Sequence, residues 1–96
     1  MQSYLIRVQI GDKIGQLYCV LNMSVLALDF GNLEQGKNLS TEAINMAREL
    51  GIKNIEGRAI KNLASVAQRE GDKKQFDELM SQVRKIETET GLSFLD

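Results

Sequence analysis

Glycine recurs near every twentieth position, at 11, 31, 51, 71 and 91, in a 96-residue chain that has no proline. Each of these glycines stands where an apolar pattern of helical spacing ends. That is the place of a left-handed C-terminal cap, which glycine alone enters without a steric penalty. The spacing therefore divides the chain into helices of roughly eighteen residues, each about 27 Å long. Shifting the chain by forty residues exposes a second regularity. Residues 11–50 laid over 51–90 pair Gly11 with Gly51, Lys13 with Lys53, Asn22 with Asn62, Ala27 with Ala67, and Gly31 with Gly71. Gln35 and Gln75, Leu39 and Leu79, and Glu49 and Glu89 also coincide. Ordinary composition yields roughly two or three such identities by chance, so the forty-residue unit is real and repeated.

Within that frame four helices are expected, near 13–30, 33–50, 53–70 and 73–90. Asn32 with Gln35, and Asp72 with Gln75, read as N-cap residues with capping partners three positions on. Phe76, Leu79, Met80, Val83 and Ile86 form one apolar stripe at helical spacing, and Leu33, Gly36, Ser40, Ala43, Ala47 and Leu50 form another. Residues 1–10 fall in the phase of the end of a second repeat helix and read as the remnant of a truncated preceding repeat. The divisions are then 1–10, a first repeat over 11–50, a second over 51–91, and a tail at 92–96. The fold class is all-α: two antiparallel helical hairpins stacked as an α-α superhelix, preceded by a short helical segment.

Asn62-Leu63-Ala64, followed by Ala67 and Gly71-Asp72, resembles the first-helix and turn pattern of a tetratricopeptide repeat, and Asn22-Met23-Ser24, Ala27 and Gly31-Asn32 repeat it. The segment Glu56-Gly57-Arg58-Ala59-Ile60-Lys61-Asn62-Leu63 is similar to the forty-residue variants of kinesin light chains, cell-polarity scaffolds and bacterial peptide-responsive regulators. The likeness covers about eighty residues and rests on distributed small and apolar positions. It departs from the family in lacking the usual tryptophan and tyrosine of the first helix, with Val20, Ile60, Ala27 and Ala67 there, and in placing Phe76 where a small residue is usual. The resemblance implies a binding module whose first helices line a concave groove. It also implies that the asparagine ahead of the Leu or Met holds a peptide backbone.

Chemistry of other kinds finds little footing. The chain contains no histidine, which removes the commonest general base, zinc ligand and triad member together. Gly11-Asp12-Lys13-Ile14-Gly15 lacks the preceding strand and the spacing of a phosphate loop and reads as a helix boundary. No enzyme activity and no cofactor are expected. A net charge of -1 gives no global attraction to nucleic acid or to an anionic bilayer. The single cysteine, Cys19, sits in an apolar run and is expected to be buried. With no disulfide possible within the chain and no signal segment opening it, a cytoplasmic setting is expected.

The informative surface is one face of each first helix. Arg58, Asn62, Ser65 and Arg69 fall at i, i+4, i+7 and i+11 and so share a polar stripe. Tyr18, Asn22, Val25 and Asp29 occupy the corresponding places in the earlier copy. An asparagine amide offers a donor and an acceptor to the N–H and C=O of an extended peptide. Arg58 and Arg69, with Lys61 beside them, supply charge-assisted bonds to a carboxylate, and Tyr18, Leu21 and Val25 meet an apolar side chain. The alternative is that both asparagines bond neighbouring helices. A second expectation comes from charge: residues 1–51 carry nine charged side chains and residues 52–96 carry sixteen, while the segment 13–30 is apolar nearly all round. Such a helix calls for cover on several sides, so a homo-oligomer is expected through Leu17, Leu21 and Leu28. Self-association without a separate ligand is thus the rival to a protein or peptide partner, and excision from a longer array is the rival to oligomerisation.

Overall fold

The structure is a computed structural model that describes the backbone of residues 2–93 and the side chains of residues 12–93. The described residues form four helices and no strand: α1 (Gln2–Asp29), α2 (Leu33–Leu50), α3 (Lys53–Glu70) and α4 (Lys73–Thr90). Helices adjacent in sequence pack against each other, and α1 also touches α3. The chain is therefore all-α, two helical hairpins laid one on the other. The last three helices begin and end where the glycine and capping pattern places them.

Their ends explain why. Gly31, Gly51 and Gly71 have φ of 77°, 69° and 79°. The residue after each glycine donates its N–H to the carbonyl five residues back, Asn32 to Ala27 at 2.8 Å, Ile52 to Ala47 at 2.9 Å and Asp72 to Ala67 at 2.9 Å. The glycine itself bonds to Leu28, Arg48 or Gln68. This is a Schellman cap written three times, and it satisfies carbonyls that the helix leaves unbonded. The next helix starts at once from Asn32 or Asp72, whose side chains accept from the N–H of Gln35 at 3.2 Å and Gln75 at 3.1 Å. Gln35 does not reach back to the cap's backbone; its Oε1 accepts from Asn32 Nδ2 at 3.0 Å. The start of α3 has Ile52 at the cap, which makes no side-chain bond. Glu56 in its first turn compensates, buried and paired with Arg48 of α2 at 3.0 Å and with Lys53 at 3.6 Å.

The beginning of the chain departs from expectation. Helix α1 runs without interruption through Gly11 and Gly15, for 28 residues, so neither glycine is a boundary. Asp12, which would open a new helix after a cap, accepts instead from Gln16 Nε2 one turn on, at 3.4 Å. Extending an existing helix adds one hydrogen bond per residue with no new nucleation, and that outweighs the cost of about 1 kcal/mol for a helical glycine. Residues 2–10 are thus the first turns of α1. Whether their side chains pack as a preceding repeat lies outside the described residues, as do Phe94 and Leu95 of the tail; Leu92 is exposed.

The core lies along α3, which buries eight residues between α2 and α4. Leu17 and Leu21 of α1, Ala43, Ile44 and Ala47 of α2, and Leu79, Val83 and Ile86 of α4 close on Ile55, Ala59, Ile60, Ala64 and Ala67. Alanines at the crossings let backbones approach closely. Gly36 does the same at the start of α2, where an added Cβ would sit 3.1 Å from Leu28 Cδ2 and 3.7 Å from Val66 Cγ2.

Candidate functional site

Stacking the hairpins brings the equivalent faces of α1 and α3 side by side and leaves an open groove of about 380 Å³ between them. Leu21, Asn22 and Val25 line it from α1, and Arg58, Lys61 and Asn62 from α3, with Ser93 at the edge. Two of these pairs, Leu21 with Lys61 and Asn22 with Asn62, are forty residues apart. The groove is therefore built from the same helical positions used twice. Among the described residues that line it are two cations, Arg58 and Lys61, and no carboxylate.

Five residues of the predicted peptide face come together there: Asn22, Val25, Arg58, Lys61 and Asn62. Tyr18 is exposed one turn earlier on α1 and does not line the groove. Ser65 and Arg69 are used locally. Ser65 Oγ donates to the carbonyl of Lys61 at 3.3 Å. Arg69 Nη1 donates to the carbonyl of Leu28, placing a cation on the C-terminal end of α1, where the helix dipole favours it. Arg69 thus fastens α3 to α1.

Asn62 is divided between two roles. Its Nδ2 donates to Ser24 Oγ at 3.1 Å, and Ser24 Oγ donates in turn to the carbonyl of Leu21 at 2.6 Å. This buried relay sets the amide plane and leaves Oδ1 as the atom that can accept from a ligand. Asn22, its counterpart, is exposed. Sequence reasoning missed Ser24, although the repeat carries a signal: Ala64 occupies the equivalent position, and a serine in alanine's place inside a core requires a polar partner.

The residues expected to form an oligomer interface are placed otherwise. Leu17, Leu21 and Leu28 are 0%, 6% and 7% exposed, so within one copy they are covered by the chain's own helices and leave little surface to a second copy. Periodicity marked them as apolar, as it marked every side of α1, and did not say which side the hairpin would cover. Cys19 is the converse case, exposed where burial was expected. Its equivalent, Ala59, is fully buried, and nothing among the described residues covers α1 at that position.

Among the described residues no group of three or more His, Cys, Asp or Glu is placed to hold a metal ion, and no helix is long and apolar enough to cross a membrane. Comparison with family models, curated proteins and solved structures finds no match to this chain.

Proposed function

We propose that the chain is a tetratricopeptide-like interaction module that holds an extended peptide or protein segment in the groove between α1 and α3. The observation that supports this reading is the convergence of Asn22, Asn62 and Arg58 on one open groove with an apolar floor at Leu21 and Val25. Asn22 offers a full amide to a peptide bond, and Asn62 offers its carbonyl oxygen from a plane already set by Ser24. Arg58 favours a segment bearing a carboxylate. The role is one of binding without catalysis, because a chain lacking histidine brings no ready general base to the groove. A single exposed thiol suits a reducing cytoplasm.

Panning a phage-displayed library of random decapeptides against the purified protein tests the proposal. Enriched peptides should combine an acidic residue with apolar neighbours. Their affinity should fall about tenfold or more in Asn22→Ala and in Arg58→Ala, as expected for one charge-assisted or backbone hydrogen bond, with the helical circular dichroism unchanged. Asn22→Ala is the cleaner variant, since Asn62→Ala also removes the bond to Ser24. Peptides that bind both variants as well as the parent, or no enrichment at all, would remove the groove from consideration.

A further inference from the structure

One face of α1 has no cover among the described residues. Cys19, Met23, Leu26 and Phe30 follow i, i+4, i+7 and i+11 and so share a stripe. Met23 is 47% exposed, Leu26 53% and Phe30 85%. The second repeat shows what such a face is for. The positions forty residues on are Ala59, Leu63, Val66 and Glu70. Ala59 and Val66 are 0% and 1% exposed, and Leu63 packs against the core. Helix α2 packs along α3, with Val66 Cγ2 close beside Gly36 of α2. Among the described residues, the place on α1 taken by α2 in the second repeat is open, bordered by shallow clefts of about 570 Å³ and 350 Å³ whose walls include Val20, Ala27 and Met46.

We propose that this stripe is the interface of a homodimer, in which the α1 faces of two copies pack across a two-fold axis. Residues 14–28 contain no charged side chain, so two copies meet without like-charge repulsion. The alternation of four and three residues along the stripe is the a/d spacing by which helices interlock side by side. The other way to cover α1, head-to-tail stacking onto α4 of the next copy, is opposed by the sequence of α4. Where α2 carries the buried Gly36, Ser40, Ile44 and Ala47, α4 carries Phe76, Met80, Arg84 and Glu87, which would put bulk and charge against an apolar stripe. A self-complementary pairing closes at two copies, whereas head-to-tail contact would not close. At roughly 200 Å² for each large side chain, Met23, Leu26 and Phe30 leave on the order of 400 Å² exposed. That is about half of what a standard interface takes from each partner, and the flanks of α1 and α2 supply the remainder.

Light scattering behind size-exclusion chromatography, over a hundredfold range of protein concentration, tests this. The parent chain should reach twice 10.7 kDa and no more. Leu26→Glu should raise the dissociation constant about a hundredfold or more with helical circular dichroism and melting of the monomer retained, since Leu26 is half exposed within one copy. Ser81→Glu, on the exposed side of α4, should leave the dimer intact. Three results would overturn the proposal: a parent chain with the mass of one copy at every concentration, a dimer that persists in folded Leu26→Glu, or a mass that climbs past two copies.

Discussion

Ser24 and Ser40 are both fully buried, yet only the first has a partner for its hydroxyl. Ser24 relays a hydrogen bond from Asn62 to the carbonyl of Leu21, so Ser24→Ala strands a half-buried amide donor and should lower stability by about 1 kcal/mol. Ser40 Oγ is buried among apolar neighbours with no hydrogen-bond partner. Ser40→Ala removes that polar atom without leaving another unpaired and should be neutral or raise stability by up to about 1 kcal/mol. Urea denaturation of the two variants checks the opposition of sign; equal losses would show that the Ser40 hydroxyl is bonded after all. At this scale the sequence was only partly legible. Spacing put Asn22, Arg58 and Asn62 on corresponding faces, which line one groove, because position along a helix follows from periodicity alone. It did not show that Arg69 reaches the end of α1 or that Asn62 spends its donor on Ser24, because partners thirty-eight and forty-one residues away are set by how the hairpins stack.

The helices differ in how much of their extent the chain announces locally. All four stop at a glycine of positive φ, and a glycine followed by an N-cap residue is a signal contained within a few positions. The start of α1 has no such closure: Gly11 shares the spacing of the caps but, like Gly15, sits within a continuing helix, and the choice between capping and continuing depends on whether ten residues can stabilise a turn. This distinction predicts opposite responses to one kind of substitution. Gly15 is helical and exposed, and an added Cβ would meet nothing within 4 Å, so Gly15→Ala should raise stability by about 0.5–1 kcal/mol. Gly71 has φ of 79°, so Gly71→Ala should lower it by about 1 kcal/mol through backbone strain although space is open around it. Thermal melts of the two variants should bracket that of the parent. A melting temperature lowered by Gly15→Ala would mean that α1 breaks at that point.

Taken whole, the molecule is an unequal stack. Helix α3 is covered by neighbours on both sides and buries eight residues, whereas α4 buries three and turns a charged face outward. Amide hydrogen exchange should therefore be slowest in the middle of α3, around Ala59 to Val66, and faster along the exposed side of α4. Exchange in α4 that outlasts α3 would place the most stable unit at the wrong end. The same inequality explains why the charge contrast between the halves of the sequence was readable while its meaning was not. Apolar residues all round α1 indicated a surface in need of cover, but Leu17, Leu21 and Leu28 find theirs within the chain, and only the forty-residue register, set against observed burial, separates them from Cys19, Met23 and Leu26.

The register has one more consequence, for how such a chain can change in length. Gly31 and Gly71, like Gly51 and Gly91, stand at helix ends forty residues apart, and buried positions recur at that interval, Ser24 with Ala64, Ala27 with Ala67 and Ala43 with Val83. Deleting one residue inside α3 would swing all that follows in the helix by about 100° around its axis, turning core positions outward. Gaining or losing a complete unit would turn nothing. For this architecture the small edit is the disruptive one, and the lengths open to it are spaced in steps of forty.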